Sequence, residues 1–134
     1  MSFAGAHRWL AYLPFVAGCI AIYLVSDMPR PPVPDALSFR FSDKLMHACA
    51  YGVLAWLALF GAWRRRGGLG RASFLEAIAL AALYGVSDEL HQSFVPNRTA
   101  TVGDAIADAV GAMLFVGLVA AWLRARAKPG APIT

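Results

Sequence analysis

Charged residues are scarce in this chain. Asp, Glu, Lys and Arg make up 15% of it, whereas 59% of its residues are hydrophobic, above the roughly 45–50% apolar content of soluble proteins. The charges occur in short clusters, and the apolar runs between them, about 15 to 20 residues long, are typical of membrane-spanning helices. The net charge of +4 therefore does not indicate nucleic-acid binding, because basic residues beside apolar spans are typical of cytoplasmic loops.

Several motifs of common enzymes are also missing. The only two cysteines, Cys19 and Cys49, lie inside apolar runs and indicate neither a disulfide framework nor a CxxC site. No serine or cysteine stands beside a candidate base, so the signal for nucleophilic catalysis is weak. The HExxH motif of zinc proteases is absent as well. Acid–base chemistry and metal binding by residues far apart in the sequence remain open.

The apolar runs predict an all-α membrane protein with four transmembrane helices. The spans are expected at about 9–26, 43–63, 72–92 and 103–123, within one domain over residues 1–123. Short connections favour an up-down bundle of antiparallel neighbours. Residues 124–134 form a basic tail, which we expect to be disordered.

The distribution of basic residues predicts the orientation of the bundle. One side carries Glu76 as its only acid, together with these basic residues: Arg8, Arg64, Arg65, Arg66, Arg71, Arg124, Arg126 and Lys128. The other side is acidic. Because cytoplasmic loops carry an excess of Lys and Arg, both termini are predicted to be cytoplasmic and the acidic side to face outward.

Polar residues form a stripe at the outer end of each of the last three spans. Residues four apart share a helix face, which gives three sets: Asp43, His47 and Tyr51; Tyr84, Asp88 and Gln92, with Glu89 beside them; and Asp104, Asp108 and Gly111. Because the stripes lie at one depth, we expect them to face each other. His91 falls off its stripe, and we expect it to be solvated at the interface.

The acids of the third span are expected just below the outer surface. The helix from Arg71 to Asp88 is roughly 25 Å long, against about 30 Å of hydrocarbon. A charge at the bilayer centre costs on the order of 3 kcal/mol, so these acids should face a shared cleft with Lys44, Arg98 or a protonated His47 rather than lipid.

Some of the acids have a simpler structural explanation. Asp43 and Asp104 lie where spans begin, and both are candidates for a structural or capping role. Asp43 would cap the second span, and either Asp104 or Thr101 would cap the fourth. Asp88, Glu89 and Asp108 lie within helices, where capping does not explain them. Glu76, at the opposite end of the bundle, is expected to pair with Arg71 or Arg66.

Three blocks of the sequence resemble the VanZ-like family. They are Asp43-Lys44-x-x-His47-x-x-x-Tyr51, Asp88-Glu89-x-x-Gln92-x-Phe94-x-Pro96-x-Arg98 and Asp104-x-x-x-Asp108-x-x-Gly111. The resemblance covers about residues 26–117. It departs from the family pattern at Asn97, where glycine is common, and at Asp108, where asparagine is common.

The resemblance implies a small multi-pass protein of the bacterial cytoplasmic membrane. The family's namesake is associated with low-level resistance to the glycopeptide antibiotic teicoplanin. Together with the polar cleft, this favours a protein that binds or modifies a lipid-linked or anionic component of the cell envelope, and the resemblance implies a link to glycopeptide resistance. Its expected partner is a membrane lipid or a lipid-linked envelope precursor.

Candidate roles follow from the chemistry of the side chains. Lys44 and Arg98 would bind a phosphate or carboxylate, Arg98 by a bidentate contact. The other candidate ligand-binding residues are Tyr51, Tyr84 and Gln92. Whether the protein is an enzyme stays open; if it is, His47 and Glu89 are the candidate general acid and base, with Asp88 and Asp108 supporting them.

Two further classes of function remain as alternatives. A metal-dependent membrane enzyme would bind a divalent metal through oxygen and imidazole ligands, for which the candidates are His47, Glu89, Asp104 and Asp108. A small homo-oligomer would act as a proton- or ion-coupled transporter, since acids inside a membrane can form proton relays. A further hypothesis is a structural protein in which the polar residues only hold the four helices together.

Overall fold

The computed structural model describes residues 8–29 and 42–126. This part of the chain forms four α-helices and contains no strand, which confirms the predicted all-helical class. The helices are α1 (Leu13–Ser26), α2 (Ser42–Arg66), α3 (Arg71–Gln92) and α4 (Val102–Arg126), and a short 3₁₀ turn (Leu10–Tyr12) precedes α1.

A 3₁₀ turn over Leu10–Tyr12 separates the helical residues 8 and 9 from the regular helix α1, which begins at Leu13. Pro14 lies in the first turn of α1, where its missing N–H removes no helical hydrogen bond. The 3₁₀ turn therefore takes the place of the regular helix that proline would interrupt. The sequence from Leu10 to Ser26 remains apolar throughout.

The last helix runs three residues beyond the predicted end of its span. It continues to Arg126, so positions 124–126 of the predicted disordered tail are helical, and the rest of that tail lies outside the described residues. Arg124 and Arg126 occupy the last turn, where positive charge complements the helix dipole. The α2 helix ends just before Gly67, whose φ of 78° suits glycine at a helix C-terminus.

Side-chain contacts fix the direction of the helices. Glu76, near the start of α3, contacts Arg65 at the end of α2, whereas Asp88, near the end of α3, contacts Ser26 at the end of α1. Lys44 and Asp104 join the first turns of α2 and α4. Hence α1 and α3 run in one direction and α2 and α4 in the other, as in an up-down bundle.

Helix α2 lies at the centre and packs against the other three helices. Its most extensive contact is with α4, which runs parallel to it. Small residues allow this contact, since a Cβ at Gly111 would overlap the backbone of Ala48, and one at Gly52 would overlap the ring of Phe115. The middle of the bundle is an apolar core rich in alanine: Ala55, Ala58, Leu59, Ala77, Ala81, Ala112 and Val116.

Two of the helices in the described residues, α2 and α4, are long and apolar enough to cross a membrane. Large apolar side chains such as Trp56, Leu83 and Leu118 are exposed on the outside of the bundle. A surface of this kind is unfavourable in water and favourable against lipid.

Candidate functional site

A single carboxylate oxygen of Asp88 joins three helices. Its Oδ2 accepts hydrogen bonds from the hydroxyls of Ser26 and Tyr51, each at 2.9 Å, and from Gln92 Nε2 at 3.0 Å. Asp88, Tyr51 and Gln92 thus meet as the helical spacing predicts. Ser26 was not predicted, because a lone serine at the end of an apolar span has no distinctive sequence signal. The donors are neutral, so they stabilise the buried carboxylate by hydrogen bonding rather than by a direct ion pair.

His47 brings the other two within-helix acids together. Its Nδ1 lies 2.9 Å from Asp108 Oδ1 and 3.7 Å from Glu89 Oε1. Asp108 is fully buried and Glu89 is 8% exposed. The three residues come from α2, α3 and α4, one from each. They form the second set of residues that the stripes predict to meet.

The third group of contacts lies at the start of α4. Lys44 Nζ donates to Asp104 Oδ1 at 2.7 Å, and the Thr101 hydroxyl donates to Asp104 Oδ2 at 2.5 Å. Thr101 Oγ1 also accepts from the backbone N–H of Asp104 at 3.2 Å. Thr101, which precedes α4, is therefore its cap, and Asp104 positions that cap while it pairs with Lys44. The backbone N–H of Thr101 donates to Glu89 Oε2 at 3.1 Å.

Polar and apolar side chains together line a cavity of about 270 Å³ between α1, α2 and α3. Its polar residues are Ser26, Asp43, His47, Tyr51, Asp88, Gln92 and Arg98, and its apolar residues are Ala21, Ile22, Val25, Met46 and Ala50. Arg98 is half-buried, and its guanidinium approaches the backbone carbonyls of Ser26 and Val25 at 3.4 Å each. These long contacts leave much of its hydrogen-bonding capacity for another group.

An apolar groove of about 380 Å³ lies next to this cavity, between α1 and α2. The cavity and the groove share Ala21, Ile22 and Ala50. The rest of the groove is lined by Gly18, Cys49, Val53, Leu54 and Leu57. Cys49, Ala50 and Val53 are exposed, so the groove opens on the outside of the bundle.

Several predicted residues lie apart from the cavity or only at its rim. The Tyr84 hydroxyl donates to the backbone carbonyl of Cys19 at 2.6 Å, so it joins α3 to α1 rather than lining the cavity. His91 packs on the ring of Tyr23 and places Nε2 3.4 Å from Asp27 Oδ1. Asp43 is exposed in the first turn of α2 and contributes to the cavity rim.

A separate ionic cluster lies at the opposite end of the bundle. Glu76 pairs with Arg65 at 2.6 Å and with Arg66 at 2.7 Å, and it accepts a hydrogen bond from Tyr12. Arg66 was one of the two predicted partners. Arg65 was not predicted, and it takes the place expected for Arg71. Both arginines end α2 on the face that meets α3.

The contacts around Asp88, His47 and Asp104 are referred to together as the polar cluster. Buried oxygen atoms without a hydrogen-bond partner distinguish this cluster from ordinary helix packing. Among the described residues, Asp88 Oδ1, Glu89 Oε1 and Asp108 Oδ2 are buried and accept no hydrogen bond. The ligand atoms of His47, Glu89 and Asp108 lie within 4.8 Å of one another, and the same holds for Asp43, His47 and Asp104. A histidine oriented by a carboxylate can transfer protons, and the same donor set can bind a metal ion.

The comparisons with known proteins agree with the family resemblance. The model of the family described as VanZ/LLP1 matches residues 10–124, a range that includes every residue of the cavity and of the polar cluster. No curated protein and no solved structure matches the chain.

Proposed function

We propose, because this chain belongs to the VanZ/LLP1 family, that it is a membrane protein that binds an amphiphilic, lipid-linked component of the cell envelope. The anionic head of this ligand would occupy the cavity beside Arg98, and its hydrocarbon chain would occupy the apolar groove. The observation that carries the proposal is the adjacency of the two spaces, which share Ala21, Ile22 and Ala50 as lining residues. A cavity with an arginine at its wall, next to an apolar groove, matches the two halves of an amphiphile.

In this proposal all four helices span the bacterial cytoplasmic membrane, and both termini are cytoplasmic. Its support is the concentration of arginines at the end of the bundle where Arg65 and Glu76 meet, since cytoplasmic ends carry an excess of basic residues. The cavity then opens at the outer leaflet. That is where envelope precursors displayed on lipid carriers would be accessible.

The head group is proposed to be a phosphate or a carboxylate held by Arg98. Arginine can bind either group through two parallel hydrogen bonds. The nearest acids are already engaged in part, because Asp88 Oδ2 accepts three donors and Asp104 is paired with Lys44. The association of the family's namesake with teicoplanin resistance is compatible with a ligand of this class.

The distribution of polar groups along the bundle supports a transporter less well than it supports ligand binding. A proton relay needs polar groups across the thickness of the membrane. In the described residues, the polar clusters lie at the two ends of the bundle, and the core between them consists of alanine, leucine and valine.

Native mass spectrometry of protein extracted gently from membranes tests the proposal. The native chain should retain a phosphate- or carboxylate-bearing amphiphile. The Arg98→Gln variant should lose most of it, whereas Arg124→Gln, an exposed arginine at the other end of the bundle, should retain it. Ala50→Phe should also reduce retention, because it fills the junction between cavity and groove; Ala79→Phe, on the exposed surface of α3, is its control. Equal retention by all four variants would contradict the proposal.

A further inference from the structure

The side chains of His47, Glu89 and Asp108, referred to here as the three-helix triad, have a charge imbalance. Two carboxylates are buried, and among the described residues His47 is the basic group that lies within 4 Å of both. Of the neighbouring acids, Asp104 pairs with Lys44, Asp88 accepts three neutral donors, and Asp43 is exposed to solvent. Two buried carboxylates cost much free energy unless positive charge compensates for them.

Two oxygens of the triad, Glu89 Oε1 and Asp108 Oδ2, are buried and accept no hydrogen bond from the described residues. Glu89 Oε2 accepts the backbone N–H of Thr101 at 3.1 Å, whereas Glu89 Oε1 lies 3.7 Å from His47 Nδ1 and accepts no hydrogen bond from the described residues. Glu89 as a whole is 8% exposed. Its second oxygen therefore points toward the other two side chains and is available to a ligand between them.

We propose that the three-helix triad binds one divalent transition-metal ion through His47 Nδ1, Glu89 Oε1 and a carboxylate oxygen of Asp108. Metal–ligand bonds of about 2.0–2.2 Å place neighbouring ligands about 3 to 3.5 Å apart. The separations of 2.9 Å and 3.7 Å from Nδ1 to the two oxygens lie on either side of that range. An ion of charge +2 neutralises the two carboxylates and leaves the imidazole neutral, the form that binds metal.

The donor set selects the class of metal. One imidazole and two carboxylates suit Zn²⁺ or Mn²⁺ better than Ca²⁺, which takes six to eight oxygen ligands. Three protein ligands leave at least one coordination position for water or for another ligand. The side chains of His47 and Glu89 are 14% and 10% exposed, which gives an ion access to the site. This proposal does not depend on the amphiphile.

The first experiment uses the purified full-length chain in detergent. After incubation with Mn²⁺ and removal of excess ion, the native protein should hold about one Mn²⁺ per chain. Because the ligands come from three helices, saturating Mn²⁺ or Zn²⁺ should also raise the thermal unfolding midpoint by about 5 °C or more. Glu89→Gln and Asp108→Asn, which keep the shape of the side chain, should abolish both effects. His91→Gln, outside the triad, should keep them.

A second measurement needs no variant and so covers the case in which a variant fails to fold. Titration of the ¹⁵N-histidine-labelled native chain with Zn²⁺ should shift the Nδ1 resonance of His47 and leave that of His91 in place. If His47 Nδ1 does not respond and no Mn²⁺ is retained, the triad holds a proton rather than a metal and the proposal is wrong. If the native chain binds the metal ion but native mass spectrometry finds no bound amphiphile, only the proposed function is contradicted.

Discussion

Gly111 of α4 lies directly against the backbone carbonyl of Ala48 of α2, and this contact sets the distance between the two parallel helices. Any side chain at position 111 would push α4 away from α2. The polar groups near the N-terminal ends of these helices depend on that distance, because Lys44 and Asp104, and likewise His47 and Asp108, bridge the same pair of helices. A small residue in the middle of the bundle thus positions the site above it.

The first prediction concerns this contact. Gly111→Ala should lower the free energy of unfolding by about 1–3 kcal/mol, because a methyl group would meet backbone atoms that cannot rotate away. Gly117→Ala in the same helix is the control, since a Cβ there meets nothing within 4 Å; it should be neutral or stabilise by up to about 1 kcal/mol. Thermal unfolding in detergent, followed by circular dichroism, measures both. Equal stability of the two variants would show that α2 and α4 are not in contact at Gly111.

The second prediction concerns the hydrogen bonds to Asp88. Tyr51→Phe removes one donor and should cost about 1 kcal/mol. Asp88→Ala leaves three buried donors without their acceptor and should cost about 3 kcal/mol or more. Tyr23→Phe, at an exposed tyrosine, should change stability by no more than about 0.5 kcal/mol. If Asp88→Ala costs no more than Tyr51→Phe, the three donors do not converge on one oxygen.

The sequence predicts the helical fold and the meeting of polar stripes because helical periodicity determines which side chains share a face. His47 and Asp108 each lie one turn from a polar neighbour on their own helix, and this spacing already places them in a common cleft. Periodicity does not tell which helix pairs with which. The close contact of α2 with α4 depends on Gly111 and Gly52 together, and small residues are common throughout this alanine-rich chain.

Contacts that end on backbone atoms could not be predicted. Tyr84 was expected to bind a ligand because it lies on the same stripe as Asp88, yet its hydroxyl donates to the carbonyl of Cys19. Backbone carbonyls are present at every residue, so the sequence carries no signal for such a bond.

The backbone conformation at Asn97 accounts for one departure from the family pattern. Its φ of 63° favours glycine and tolerates asparagine. This explains why both residues suit that position.

The third prediction concerns the cap of α4. Thr101→Ala should destabilise the protein by about 1–2 kcal/mol, because the change removes the cap of the helix and the hydroxyl donor to Asp104. Thr101→Ser retains the hydroxyl and should recover most of the loss. The exposed Thr99 provides the matched control, since Thr99→Ala should stay within about 0.5 kcal/mol of the native chain. Chemical unfolding with the three variants in parallel measures these differences. No recovery by serine would mean that the methyl group, not the hydroxyl, stabilises this end.

The last prediction tests the direction in which α3 crosses the membrane. In a background with Cys19→Ala and Cys49→Ala, single cysteines are introduced as Ser93→Cys and Arg71→Cys, both at exposed positions at opposite ends of α3. A maleimide that cannot cross membranes is added to right-side-out vesicles. It should label the variant at position 93 at once and the variant at position 71 only after detergent is added, because the arginine-rich end is expected to be cytoplasmic. The reverse pattern would place the polar cavity at the inner leaflet. Equal labelling of both positions would mean that α3 does not cross the bilayer, so that the cavity could not open at a membrane surface opposite the arginine cluster.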